Sequence, residues 1–438
     1  MTVKRLVHAM VLSLGVAWVA PSTAAIAGPV RVESGLLSGV PESDASITVF
    51  RGIPYAAPPV GELRWRPPAP ALHWQGVRKA DRFGPLCPQP TPRGAEPPAM
   101  SEDCLFLNVW TGANAASERR SVMVWLHGSG DGQAGSMPLY HGEALAKKGV
   151  VVVSVDYRIG ALGSLASAEL SRESGHGASG DYAILDDIAA LKWVQKNIAA
   201  FGGDPANVTL FGQSHGAAMQ HLLVMSPLAR GLFHRVILQS HARYPRDPTL
   251  LEVATRYQAL SEAEESGAQF MAQLGVRSLQ ELRDVPWQKL VDTPFTGVSF
   301  VLDGHVVPRS YAETYASGTQ NNVLVIAGFN RDETGATPET NFERASARPP
   351  GRRNNNNPQA ITRLADYQQF ARQRFGAMTD EFLRLYPATT DREAFSAFAS
   401  YTRDNGRVSL WMWADAWRRH ATKPVSYTHL TLPTKRIV

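Results

Sequence analysis

Cysteine is nearly absent from this chain. Two residues, Cys87 and Cys104, among 438 exclude a disulfide-dense scaffold, and no histidine cluster at ligand spacing accompanies them, so no metal-centre signature is present. A membrane-spanning run is also missing from the N-terminus, where the apolar stretch from about Ala9 to Ala20 falls short of the roughly 20 residues a spanning helix needs. No internal repeat is visible, and nothing sets apart a second domain with its own core. Charge excess is slight. The formal net charge is +5, but Lys4, Arg5, Lys435 and Arg436 sit in the two terminal segments, and without those four the remainder carries +1. Such a balance offers no footing for nucleic acid or another polyanion.

What is there belongs to a large globular protein. Hydrophobic residues make up 44% of the chain and tryptophan occurs ten times, far from the composition of a disordered chain. The N-terminus runs Lys4-Arg5, then the apolar stretch, then small residues ending in Ala25-Ile26-Ala27. That order predicts a secretory signal peptide over 1–27 and export of the rest as a soluble protein, periplasmic or secreted, from a bacterium. In an oxidising compartment Cys87 and Cys104 are expected to pair and close a proline-rich surface loop, worth about 3 kcal/mol. Two buried free thiols are the alternative.

Five short apolar, β-branched runs punctuate the chain: "VMVWL" (122–126), "VVVVSV" (150–155), "VTLF" (208–211), "RVIL" (235–238) and "VLVIA" (323–327). Runs without polar alternation predict strands of a parallel sheet buried on both faces. Between the second and third, Ile184, Ile188, Leu191, Val194 and Ile198 recur at helical spacing, which predicts a helix crossing between strands. The expected class is α/β, a large mostly parallel sheet with helices on both faces. The charged stretch from about Asp247 to Trp287 reads as helices inserted above the sheet, and "ARPPGRRNNNNP" (347–358) as a polar loop.

Directly after "VTLF" comes Gly212-Gln213-Ser214-His215-Gly216. G-x-S-x-G after a buried strand and before a helix predicts a nucleophile elbow: the glycines permit a turn too tight for side chains, and the serine hydroxyl is lifted above the carboxyl end of the sheet. The backbone N–H of His215 would then face a developing oxyanion. Its imidazole is expected to pack beneath the turn or rim the pocket, since neighbouring side chains on an elbow diverge.

The segment around Ser214, together with "FRGIPYAAPPVGELRWRPPAP" (50–70), "SEDCLFLNVW" (101–110), "DYRIGALGSL" (156–165), "LFHRVILQS" (232–240) and "LDGHVVP" (302–308), resembles the type-B carboxylesterases, the cholinesterase-like branch of the α/β-hydrolase fold. The likeness runs from about Gly28 to about Val425. It implies a serine carboxylic-ester hydrolase without cofactor or metal, acting on a small-molecule ester, with Ser214 as nucleophile. In "GFNRDETG" (328–335) it implies Glu333, beside Asp332, as the acid that orients the base, with Thr334 in place of the usual glycine. In "HGSGDGQAGS" (127–136) it implies oxyanion donors at Ser129 and Gly130 beside His215, with Ser129 replacing a glycine and Asp131 standing where an apolar residue is common. Adhesive relatives that lost the nucleophile offer the second functional class, a non-catalytic binding protein, against which Ser214 and Glu333 both speak.

The family's basic histidine lies in a glycine-framed segment beyond the acid. After "HATKPV" (420–425) this chain reads "SYTHLTLPTKRIV", which has no glycine and none of the family's pattern. Residues 426–438 are therefore read as a non-native tail, and His429 and His420 as poor substitutes for the base. A chain so interrupted is expected to lack its triad histidine and final sheet elements, and to be inactive and poorly soluble where its uninterrupted parent is an active esterase.

Overall fold

The computed structural model describes residue 26 and residues 28–91, 98–128, 134–242, 244, 257–297, 300–333, 339–347 and 361–430, with side chains through Ser426. Its centre is one nine-stranded sheet. In chain order the strands are β1 (Val40–Pro41), β2 (Thr48–Pro54), β3 (Phe106–Thr111), β4 (Arg120–Leu126), β5 (Val151–Val155), β6 (Gly203–Gln213), β7 (Arg235–Gln239), β8 (Leu324–Asn330) and β9 (Val425–Leu430). Across the sheet they lie in the order β9-β8-β7-β6-β4-β5-β3-β2-β1. The six strands from β9 to β5 are mutually parallel, and β3, β2 and β1 add on antiparallel.

All five apolar runs expected to be strands are strands of this sheet. Their burial explains the pattern: Val122, Val124 and Leu126 of β4, Val151, Val153 and Val155 of β5, and Val208 and Leu210 of β6 are fully enclosed, because the crossover connections of parallel strands put cover on both faces. Helix α1 (Tyr182–Asn197) bridges β5 and β6, and Ile184, Ile188, Leu191 and Val194 all face the core. Helix α2 (His215–Met225) leaves the end of β6 and is buried from Gly216 onward. The region expected to hold inserted helices contains α3 (Leu260–Leu274) and two shorter helices, Leu279–Asp284 and Trp287–Asp292. These share a core with Trp65, Leu162 and Tyr182. Residues 348–358 lie outside the described residues.

Helix α4 (Leu364–Phe375) and the long helix α5 (Asp391–Arg418) form a small aromatic core of their own, while the second half of α5 buries Leu410, Trp413, Ala414 and Trp417 against the main one. Beyond α5 the chain enters β9, whose backbone pairs with β8 from Val425 opposite Val325 to Leu430 opposite Asn330. Five residues read as tail thus continue the sheet in register. Cys87 and Cys104 form the disulfide, and no free cysteine remains. No helix among the described residues is long and apolar enough to cross a membrane.

The core holds an unusual set of acids. Asp186 is fully buried and accepts three hydrogen bonds from Arg158, at 2.7, 2.8 and 3.0 Å. Its neighbour Asp187 is equally buried, yet neither carboxylate oxygen has a hydrogen-bond partner. Burial, and then the adjacent Asp186, push the Asp187 carboxyl well above the ordinary range. A raised folded-state pKa means that the native chain binds this proton more tightly than the unfolded chain. The stability so gained is complete below the unfolded value near 4, and is lost as pH rises through the folded value. Thermal unfolding is therefore expected to occur at a higher temperature at pH 5 than at pH 8. Asp187→Asn should stabilise the protein at pH 8 by about 1–3 kcal/mol and flatten the trend. An Asn variant less stable than wild type at pH 8 would refute this reading.

Candidate active site

The turn from β6 into α2 has the geometry that the G-x-S-x-G pattern demands. Ser214 stands at φ 56°, ψ −119°, a combination costing a non-glycine residue about 1–3 kcal/mol and held only where the surroundings enforce it. They do so here. The Ser214 N–H donates to Gln239 O at 2.9 Å, and Ser214 O accepts from Ala218 N–H at 3.0 Å. On either side the glycines lie against β4: a Cβ on Gly212 would meet Leu126 O at 2.5 Å, and one on Gly216 would meet Leu126 O at 2.1 Å and His127 O at 2.6 Å. Although Ser214 occupies the N-cap position of α2, its hydroxyl caps no backbone N–H. The side chain is exposed at the carboxyl end of the parallel strands.

Two strands further along the same edge lies Glu333. Its Oε1 accepts from Asn330 N–H at 2.7 Å and from the Ser240 hydroxyl at 2.7 Å. Ser240 follows β7, the strand between the nucleophile's and the acid's, and has its own left-handed backbone at φ 63°. Its N–H donates to Gly328 O at 2.7 Å. Ser214 is tied to β7 and Ser240 to β8, so the two serines and the carboxylate share one rim. Adjacent strands are about 4.8 Å apart, which puts nucleophile and acid about 10 Å apart at the backbone, a gap that one imidazole can bridge. Asp332 turns the other way and accepts from Arg403 of α5 at 2.5 and 2.9 Å.

The histidines divide by position. The His215 ring lies flat on Phe300, centroids 5.2 Å apart at 13°; it rims the turn. The His127 ring stacks on Tyr157 at 4.1 Å, and its Nδ1 donates to Gly128 O at 2.8 Å. Burial pushes its pKa down to about 4, so it stays neutral in the physiological range. His241 turns inward, edge-on to the buried His221 at 5.7 Å. His420 follows α5 and sits against Gly318, ahead of the amino end of β8 and thus at the opposite end of the strand from Glu333. His429 pairs with Phe329 along the backbone of β9. None of the described side-chain contacts places an imidazole between Ser214 and Glu333. Ser129, Gly130 and Asp131 lie outside the described residues, as does Thr334.

Sequence reasoning passed over Ser240. It closes the family-like stretch "LFHRVILQS", directly after an apolar run, and nothing in that stretch marks its hydroxyl as a partner of Glu333. For cations, one group of described side chains brings three ligand atoms together: Glu42, His141 and Glu143. Those carboxylates are already satisfied, Glu42 by Arg51 and Trp110, Glu143 by Ser43, the Asp44 N–H and Lys147. The group adjoins the β1–β3 edge of the sheet, away from the nucleophile's strand.

Residues 27–427 match the Carboxylesterase family. Over 385 residues the chain is 37% identical to fumonisin B1 esterase of Sphingopyxis macrogoltabida, an alignment covering 86% of this chain and 66% of that protein. It is 38% identical to phenmedipham hydrolase of Pseudarthrobacter oxydans over 65% of this chain and 58% of that one. Among solved structures, a Geobacillus stearothermophilus carboxylesterase at pH 6.2 superimposes with a TM-score of 0.70 at 29% identity, covering 93% of this chain and 80% of that chain. A PNB esterase does so with a TM-score of 0.67 at 29% identity, over 91% and 79%. The chain spans less than two thirds of the length of these two curated relatives. With the family matched over nearly its whole length and its sheet superimposing on those of solved carboxylesterases, the chain belongs to the carboxylesterase family.

Proposed function

We propose that the protein is a serine hydrolase of small-molecule carboxylic esters working through an acyl-enzyme on Ser214. The observation that carries this is the strained, exposed Ser214 on the same rim as Glu333, with Ser240 fastening that carboxylate from the strand between. A serine held at such a cost, with a hydroxyl that caps nothing, is poised for attack rather than for structure.

In this reading the Ser214 oxygen adds to the ester carbonyl while an imidazole takes its proton. Glu333 holds that imidazole in one tautomer and stabilises its cation. Negative charge on the carbonyl oxygen falls to the N–H of His215, with Ser129 and Gly130 as its partners, each donor worth roughly 3 kcal/mol of barrier. The alcohol leaves with the proton, and water then frees the acid from the serine. The stacking of His215 on Phe300, the edge contact of His241 with His221 and the place of His420 ahead of the amino end of β8 argue against these three as the base. Residues 1–27 act as an export signal and 28–425 as one catalytic unit. The disulfide supports an oxidising destination.

An alkyl p-nitrophenyl phosphonate, with free imidazole supplied as proton acceptor, should give one covalent adduct on the peptide containing Ser214, absent from Ser214→Ala. Adducts found only on other residues would sink the proposal.

A further inference from the structure

Helix α5 runs from the carboxyl end of β8, beside Asp332, back toward the strand's amino end, and one stripe of its surface touches each element that carries the site. Arg403, Gly406, Ser409 and Trp413 recur at the helical period and so share a face. All four are buried. At the first position the Arg403 guanidinium donates through Nε and Nη2 to Asp332 Oδ1, at 2.9 and 2.5 Å. One turn on, Gly406 lets the helix lie against β8, where a Cβ would meet the Phe329 ring at 3.2 Å. Ser409 Oγ then accepts from the N–H of Tyr244, four residues beyond Ser240, at 2.9 Å. Trp413 Nε1–H donates to the Tyr315 hydroxyl at 3.0 Å and to His221 Nε2 of the elbow helix α2 at 3.3 Å.

These contacts bracket the acid. Phe329 and Asp332 flank the start of the turn in which the Asn330 N–H holds Glu333 Oε1, and Ser240, on the segment that leads to Tyr244, holds the same oxygen. Glu333 lies beyond the last residue of β8, so the sheet's ladder does not fix its backbone. A rigid helix can. The Arg403 side chain is only 7% exposed and that of Asp332 20%, so solvent screens this pair far less than a surface ion pair, and its two bonds set a direction as well as a distance.

We propose that α5 is a splint for the acid: Arg403 is a positioning residue that acts through Asp332 to hold the Glu333 carboxylate on the rim, and Ser409, through Tyr244, steadies the segment from which Ser240 grips it. The catalytic half of this proposal rests on the esterase reading; the splint itself does not.

Amide-resolved hydrogen exchange at Asn330 and Tyr244 tests this in the full chain, together with turnover of a short-chain nitrophenyl ester measured with and without free imidazole. Arg403→Met, which keeps the apolar stem, is expected to lower protection of the Asn330 amide about tenfold and Ser214-dependent kcat about 10- to 100-fold, with KM within about a factor of two. Asp332→Ala should do the same. The double variant should lose no more than the larger single loss, because both changes cut one link. Ser409→Ala should lower protection at Tyr244 by a similar factor and kcat by less than about tenfold. Unchanged Asn330 protection in an Arg403→Met protein that melts like wild type would overturn the splint, as would losses that add in the double variant. A fall in protection with kcat unchanged would overturn the positioning role. Where Arg403→Met fails to fold, Asp332→Ala and Ser409→Ala decide alone. Absence of Ser214-dependent turnover in wild type under both conditions would count against the esterase reading, and the exchange data would still judge the splint.

Discussion

Ser214→Ala is expected to remove ester turnover down to the level of Ser214-independent background. Serine hydrolases lose roughly 10⁶ in kcat when the nucleophile goes, because the remaining oxyanion donors and binding groups accelerate only attack by water. The variant should fold and melt like wild type, since the lost hydroxyl caps nothing. Relief of the φ 56° strain is small, as alanine is no freer there than serine. The informative arm adds free imidazole. A positioned base contributes about 10²–10⁴ to such a reaction. If no histidine of the folded chain reaches Ser214, wild type should be slow alone and should accelerate with imidazole, and Ser214→Ala should not respond. Fast turnover without imidazole that disappears in Ser214→Ala would place a base within the chain and retire the expectation of a missing histidine. Turnover indifferent to Ser214→Ala under both conditions would end the hydrolase reading.

The second large effect is expected from a single methyl group at Gly216. At 2.1 Å from Leu126 O and 2.6 Å from His127 O, an alanine Cβ meets backbone and not a side chain that can turn away. Relief requires α2 to move off β4 by about 1 Å, and overpacking of this kind costs about 3 kcal/mol or more. The same shift would displace Ser214 relative to β4 and β7, and a displacement of that size costs about 10² in rate. Gly216→Ala should therefore lower the melting temperature by several degrees, or prevent soluble expression, and should reduce turnover even in the fraction that folds. A variant with wild-type melting and wild-type turnover would show that the close approach is not what the elbow depends on.

The parts of this architecture that were legible beforehand share one physical trait. The parallel strands β4 to β8 each appear as an uninterrupted apolar run, β5 because both its faces are enclosed and β8 although Ile326 is half exposed, and the serine motif could be placed because it abuts one of them. The acid was legible through its position after β8 and the family resemblance together. The antiparallel strands β1 to β3 have no comparable run. β9 reads "VSYTHL", a short stretch that mixes polar with apolar residues, and pairing with β8 is a property of the partner as much as of the segment. Ser240 was not legible as a site residue for a similar reason. It acts through a bond across the sheet to Glu333, far away in sequence, and no local pattern encodes such a partner.

The strand order has a consequence for how the chain is made. Read from the β1 edge, the sheet follows the direction of synthesis, with one exchange between β4 and β5. A ribosome adding about 5–20 residues per second therefore lays down neighbours in sequence, and every later strand except β4, which waits for β5, finds its docking edge already present. By Ser240 the elbow and seven strands exist, whereas β8 and Glu333 emerge only after the intervening helices. During that interval β7 is the raw border of the nascent sheet, with Ile237 in the row that Ile326 will later extend. Nascent chains paused between residues 240 and 324 are where chaperone capture should be strongest.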